Sequence, residues 1–332
     1  MPNEDDKMEL LANSQYDIAV LIPCLNEETT ILQVVNDFRT YLPDAKIYVY
    51  DNNSTDKTSE VAREAGAIVR IETLRGKGNV VRRMFADIDA DIYVMVDGDD
   101  TYNAANSPEM VALLVNDQLD MVNGARVAND LSSFRPGHQI GNRILSILIA
   151  SIFGKGLSDL FSGYRVFSRR FVKSFPALSV GFEIETEFTI HALELRMKLA
   201  ELESPYKARP EGSVSKLNTT KDGLRVLGLI ITLIKGERPF QFFAFISFML
   251  AIISIILAIP ILIEYFDTGL VPRFPTAILC SALIILSFLS FYAGLILDAV
   301  TTSRREMKRF CYLQLSRFRT VDGKVENNLN TK

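Results

Sequence analysis

The stretch "VMVDGDDTYN", Val94 to Asn103, places three carboxylates, Asp97, Asp99 and Asp100, directly after an apolar run. An apolar run bounded by turn residues reads as a strand buried on both faces. One Asp and one Gly are enough to close such a strand with a turn. The extra acids leave three readings: a turn, a calcium loop, or a seat for a metal that holds a phosphorylated substrate. The calcium reading fails, because an EF-hand loop needs Gly at its sixth position and Glu at its twelfth. Counted from Asp97, those positions are Tyr102 and Pro108.

Around this strand the chain alternates in type. "YDIAVLIPCL", "KIYVYD", "AIVRIE", "DIYVMVD" and "DMVNGAR" read as strands. Between them "NEETTILQVVNDFRTYL", "TDKTSEVAREAG", "GKGNVVRRMFADI" and "SPEMVALLVN" have helical spacing, the last opening on Ser107-Pro108. Strand–helix alternation implies an α/β fold with a mostly parallel sheet covered on both faces. Ligands of such sheets bind beyond the carboxyl ends of the strands. Asp51, Asp97 and Arg126 each close a strand, so they are expected along one edge.

Composition narrows the chemistry. The chain has 332 residues, 48% hydrophobic, and a net charge of -4, which gives no basic footprint for nucleic acid. Its three cysteines are scattered, which suits neither a disulfide framework nor a zinc site. With two histidines, a metal would have to take oxygen ligands, which points to Mg²⁺ or Mn²⁺. His138 and His191 read as structural or interfacial residues.

Apolar residues concentrate late in the chain. Phe240 to Ile263 and Phe274 to Leu297 carry no charge. Each would reach roughly 36 Å as a helix, against a hydrocarbon core of about 30 Å. They read as two transmembrane helices forming a hairpin, without the intramembrane charges of a transport path. Lys235 and Arg238 precede the first, and Arg304, Arg305, Lys308 and Arg309 follow the second. Those charges place both flanks in the cytoplasm. The expected organisation is a flexible extension over 1–15, a catalytic domain over 16–218 and an amphipathic juxtamembrane helix over 219–238. The two spans follow over 239–298, and a basic cytoplasmic tail over 299–332. The helix at "DGLRVLGLIITLIKGE" suits the membrane interface; that at "GNRILSILIASIFGKG" suits the interface or packing on the sheet.

Other constellations are weaker. "GKGNVV" lacks the third glycine of a dinucleotide fingerprint, and Lys77 is not followed by the Ser or Thr of a Walker loop. What is left is a basic loop, Arg75 to Gly78, suited to phosphates or serving as an ordinary turn. Asp97 and Asp99, two apart at a strand end, can aim one acid at a nucleotide sugar and the other at a metal on its diphosphate. Glu183, Glu185 and Glu187 of "GFEIETEF" suit either a helix N-terminus or an acceptor site.

"IPCLNEE", "DNNSTDKT", "DGD", "NGAR", "SDLFSGYRVFSRR" and "RPEGSVSKL" occur in the order found in inverting family 2 glycosyltransferases of the GT-A fold. The chain resembles the polyprenyl-phosphate branch of that family, which includes dolichyl-phosphate mannose synthase and bacterial undecaprenyl-phosphate sugar transferases. The resemblance covers residues 17 to about 217. It implies a nucleotide pocket at Pro23, Asn26 and Glu27, with Asp51 on the base or ribose and Lys77 near the donor. Asp97 would bind the nucleotide sugar and Asp99 the metal. Thr101 stands where some relatives have Gln, so Asp100, Thr101 or water would complete the metal's ligands. Arg126 and Arg135 would hold a lipid phosphate, Arg209 and Lys216 would clamp phosphate groups, and Ser162, Gly163 and Arg165 would line the acceptor site. The implied enzyme is a hexosyltransferase anchored in a bacterial or archaeal cytoplasmic membrane. It would move sugar from a UDP- or GDP-sugar to undecaprenyl or dolichyl phosphate for cell-envelope glycan synthesis. A hydroxyl acceptor is the alternative, and would call on one of the three glutamates or Asp159 as base. The oligomeric state stays open, a homo-oligomer included.

Overall fold

The alternation is realised across the first part of the chain. The computed structural model describes residues 16–128, 147, 149–150, 157–181, 183–207 and 235–318. In order come β1 (Ile18–Cys24), α1 (Ile31–Tyr41), β2 (Lys46–Asp51), α2 (Thr58–Glu64), β3 (Ile68–Ile71), α3 (Lys77–Asp87), β4 (Ile92–Met95), α4 (Ser107–Asn116) and β5 (Met121–Ala128). Then follow β6 (Arg165–Ser168), α5 (Arg169–Ser174), α6 (Ile184–Glu194), β7 (Leu199–Tyr206), α7 (Pro239–Thr268) and α8 (Phe274–Gln314). Arg135, His138, Arg209 and Lys216 lie outside the described residues, as do most of both expected amphipathic helices.

The seven strands form one sheet in the order β3-β2-β1-β4-β6-β5-β7. It is mostly parallel, and β6 alone runs antiparallel, between β4 and β5. All four β4 side chains are buried, as a strand covered on both faces requires. One face carries Val20, Ile22, Val49, Val94 and Val122 against Val34, Phe38 and Leu114 of the helices. On the other, Phe85, Phe167, Phe171, Phe175 and Phe188 pack edge to face, tilted or stacked at 4.6–6.2 Å.

Two boundaries depart from the sequence reading. α1 begins at Ile31, not at Asn26. Asn26 takes a left-handed φ of 53°, which an α-helix excludes, and the Glu27 carbonyl accepts the first helical N–H groups. β6 and β7 are the strands that periodicity misses. β6 is only four residues long, and β7, an edge strand, carries the mixed pattern "LAELESPY".

The chain divides into two compact units, 1–223 with 308–332, and 224–307. In the second, α7 and α8 are long and apolar enough to cross a membrane. They pair through Ser254 Oγ on the Cys280 carbonyl at 2.8 Å and Ser247 beside Ser287 at 3.0 Å. A Cβ on Gly294 would press on Phe240 and Phe243, so this glycine sets how closely the helices approach. Arg304 and Arg305 converge on Glu237 at 3.0 and 2.9 Å.

α8 continues well past Leu297, and its last turns belong to the first unit. Lys308 donates to the fully buried Glu194 at 2.6 Å. Tyr312 Oη donates to Asp120 at 2.9 Å, beside the Arg170 pair at 2.6 and 2.7 Å. Asp120 precedes β5 and bonds Ser168 at the end of antiparallel β6, so this contact lies at the sheet edge opposite Asp97.

Candidate active site

The acids that follow β4 form a tight turn and a polar site at once. Asp100 takes φ 54°, which reverses the chain. Asp99 is buried, and its Oδ1 accepts the Thr101 hydroxyl at 2.6 Å and the Thr101 N–H at 3.3 Å. Thr30 Oγ1 donates to the Gly98 carbonyl at 2.7 Å, which ties the turn to the start of α1. A Cβ on Gly98 would collide with Cys24 of β1, so the turn can lie this close only with glycine there. Lys207 N–H donates to the Thr101 carbonyl at 2.9 Å, joining the end of β7 to the same turn.

Asp97 is held on two sides. Its Oδ1 accepts Lys77 Nζ at 2.5 Å, and a Cβ on Gly163 would run into its carboxylate. Lys77 also donates to Glu185 at 2.5 Å, and its side chain is only 7% exposed. Burial alone would lower the lysine pKa, but Asp97 and Glu185 overturn that and hold it above its ordinary value. Burial, with the Asp97 charge, raises the Glu185 carboxyl. The loop that presents Lys77 is held by Asn52, which donates to the Glu72 and Leu74 carbonyls at 3.0 and 2.8 Å and accepts from Gly76 N–H at 2.7 Å. Gly76 sits at φ 125°, and side chains on Gly76 or Gly78 would strike the backbone of Ser179 and Val180. Those glycines allow two loops to pack directly.

Arg126 forms a bidentate pair with Asp159 at 2.6 and 2.8 Å. The guanidinium also lies 5.4 Å from the Tyr206 ring centre. Burial would raise Asp159, but hydrogen bonds and charge from Arg126 hold it below its ordinary value. Tyr102 links this pair to Asp97: its ring lies 5.4 Å from Tyr206, and its oxygen accepts Gly163 N–H at 2.8 Å. Ser162 and Arg165 do not reach this surface. Ser162 Oγ donates to the Gly124 carbonyl at 2.5 Å. Arg165, 0% exposed, donates to the Ser162 and Leu160 carbonyls and to Thr189 at 3.0, 2.8 and 2.9 Å. Their bonds brace the loop of Gly163 from within, whereas the resemblance places both on an acceptor surface.

The expected nucleotide pocket lies at the ends of β1 and β2. Pro23 sits beyond Leu21, the last β1 partner of β4, so its missing N–H costs no bond on that side. Asn26 N–H donates to Ser54 Oγ at 2.9 Å, and Asn26 Oδ1 accepts Thr55 N–H at 2.8 Å. Glu27 N–H donates to Thr58 Oγ1 at 2.8 Å. The Asp51 carboxylate faces inward, accepting Ser54 N–H at 2.8 Å and the Ser59 hydroxyl at 2.5 Å. Asp51 therefore shapes the loop that Asn26 closes.

Sequence reading assigns no role to two residues of this region. Asn52 and Tyr102 carry no signal of their own, because loops remote in sequence create their contacts. Glu185 stands in the sequence reading as a helix N-terminal acid or an acceptor-site residue, and its bond to Lys77 is what the structure adds.

The donor set suits a hard divalent cation. Asp99 is a carboxylate at a strand end, and no cluster of three or more His, Cys, Asp or Glu among the described residues forms a complete cage. A cation here would take most of its ligands from diphosphate and water, as Mg²⁺ commonly does. Thr101 gives its hydroxyl proton to Asp99, and the Asp100 carboxylate lies 3.8 Å from Lys207. Thr101 thus orients the acid.

A mixed sheet with paired acids after its fourth strand, a lysine on the first acid and an arginine nearby define a GT-A glycosyltransferase. The model for "Glycosyl transferase family 2" matches residues 19–175. Glycosyltransferase AglJ of Haloferax volcanii is 31% identical over 299 residues, 88% of this chain and 96% of that protein. The dolichyl-phosphate hexose transferase of the same organism is 26% identical over 222 residues, 67% of this chain and 96% of that one. Glucosyl-3-phosphoglycerate synthase from Mycobacterium tuberculosis, solved with Mn²⁺ and UDP-glucose, superposes with a TM-score of 0.56 at 24% identity, covering 71% of this chain and 84% of that one. The chain belongs to glycosyl transferase family 2.

Proposed function

We propose that this glycosyltransferase moves a hexose from a nucleotide-diphosphate sugar to a polyprenyl phosphate, with inversion at the anomeric carbon. The observation that carries the reading is the gathering of Asp97, Lys77, Arg126 and Asp159 around Tyr102, beside Asp99. Asp97 would orient the donor sugar. Asp99 would hold Mg²⁺ or Mn²⁺, which supplies charge relief for the departing diphosphate. The Mn²⁺ and UDP-glucose bound to the solved relative support that assignment.

The acceptor reading rests on acidity. Transfer to a hydroxyl needs a base with a pKa near the working pH. Asp159, beside Arg126, is held on the acidic side and is poorly suited to that task. A lipid phosphate arrives as an anion and needs positioning more than deprotonation. Arg126, with Arg135, Arg209 and Lys216, would supply the cations. The dolichyl-phosphate hexose transferase among the relatives agrees with such an acceptor, and α7 and α8 would anchor the enzyme where that lipid lies, with the catalytic domain cytoplasmic by its flanking positive charges. One observation favours a hydroxyl acceptor: burial, with the Asp97 charge, raises the carboxyl of Glu185 above its ordinary value.

The test is transfer of radiolabelled sugar from a panel of UDP- and GDP-sugars to undecaprenyl phosphate, with Mn²⁺ and with chelator. A metal-dependent, mild-acid-labile lipid product is expected. Label found only on hydroxyl-bearing lipid would replace this acceptor with the alternative.

A further inference from the structure

One acid reaches the site from outside the motifs of the sheet edge. Glu185 is the second residue of α6, 108 positions from Lys77 in sequence. Its side chain is 8% exposed and accepts the Lys77 ammonium at 2.5 Å. The helix-dipole reading of the first-turn acids does not explain it. Glu187, in the same turn, accepts the N–H groups of Leu178 and Ser179 at 2.9 and 2.8 Å and so pins the loop that covers Gly76 and Gly78. An acid that serves only the helix dipole has no need to be buried against a lysine. A buried ion pair is also weak support for stability, since apolar residues of like volume often do as well.

The geometry has one consistent use. A lysine is a point charge on a flexible four-carbon stem, and each carboxylate that anchors its ammonium narrows the arrangements it can take. Glu185 supplies a second anchor from a different element. Asp97 then lies between an immobilised ammonium and the backbone of Gly163, where no side chain fits. We propose that Glu185 is a positioning residue for donor binding: it clamps Lys77 from α6 and thereby fixes the Asp97 carboxylate toward the donor sugar. The proposal rests on the reading of Asp97 as the donor acid given above.

The experiment is a double-mutant cycle on the full chain in detergent with Mn²⁺. Affinities for UDP-glucose and GDP-mannose are measured by calorimetry, using whichever the parent chain binds more tightly, and steady-state constants accompany them. Glu185→Gln should weaken donor affinity about tenfold, the scale on which partners of site residues act. Acceptor KM should stay unchanged, and Glu185→Asp should recover part of the loss and serve in its place if Glu185→Gln does not fold. Lys77→Met should weaken the donor as well, and adding Glu185→Gln to it should cost nothing further. Unchanged donor affinity in Glu185→Gln would overturn the proposal. So would a full second loss on the Lys77→Met background, or an effect confined to acceptor KM and kcat. Donor affinity is read without acceptor, so this outcome is separate from that of the lipid-phosphate reading.

Discussion

At the residue scale, three neighbouring side chains divide the work of one turn. Asp99 is buried and oriented by Thr101, whereas Asp100 bends the chain at φ 54° and pairs loosely with Lys207. Asp99→Ala should therefore lower transfer by roughly a hundredfold or more, on the scale seen when a metal ligand's support is lost. Asp100→Ala should lower it by well under that, as measured by initial rates at saturating donor and metal. Equal losses would remove the distinction. The acids themselves were legible in the sequence because their spacing after an apolar run is itself the signal. Their partners were not. Gly163 lies 66 positions beyond Asp97, and only the antiparallel return of β6 brings them together.

At the element scale, α6 connects two faces of the protein. Its first turn holds the loop that covers Gly76 and Gly78 and reaches Lys77, and further along it buries His191 among Phe171 and Phe175, with ring centres at 5.4 and 5.3 Å. Burial, and then the charge of Lys308, lower the His191 pKa from 6.5 to about 3. The unfolded chain takes up this proton near pH 6.5 and the folded chain only near pH 3, so stability is complete above pH 6.5 and falls below it. Between pH 6.5 and 5 the loss is about 2 kcal/mol. Thermal midpoints in detergent at pH 7 and pH 5 should converge in His191→Gln relative to the parent. An unchanged gap would show that other groups control it. Periodicity found β1 to β5 and their helices because each carries its own apolar pattern. β6 and β7 escaped because one is very short and the other lies at an edge, where packing decides more than pattern.

At the scale of the whole molecule, the catalytic unit is discontinuous: residues 308–332 belong with 1–223. The sequence reading treated everything after the second apolar helix as a basic tail, since its charges resemble those that flank any span. In the structure they neutralise buried acids. A chain ended at Met307 keeps both apolar helices but leaves Glu194 buried without Lys308, a break that typically costs about 3–5 kcal/mol. It should melt lower and be cut faster by protease than a chain ended at Phe318, and equal behaviour of the two would show that the contact is dispensable. The same contact sets an order of events in time. Asp120 is translated 192 residues before Tyr312, and Glu194 114 residues before Lys308. The nascent sheet can assemble early, with Asp120 already paired to Arg170, yet Asp120 gains the Tyr312 hydroxyl and Glu194 the Lys308 ammonium only after both apolar helices have left the ribosome. Completion of the first unit is thus tied to synthesis of the two apolar helices, and an abortive chain that never received them would stand out to the cell's proteases.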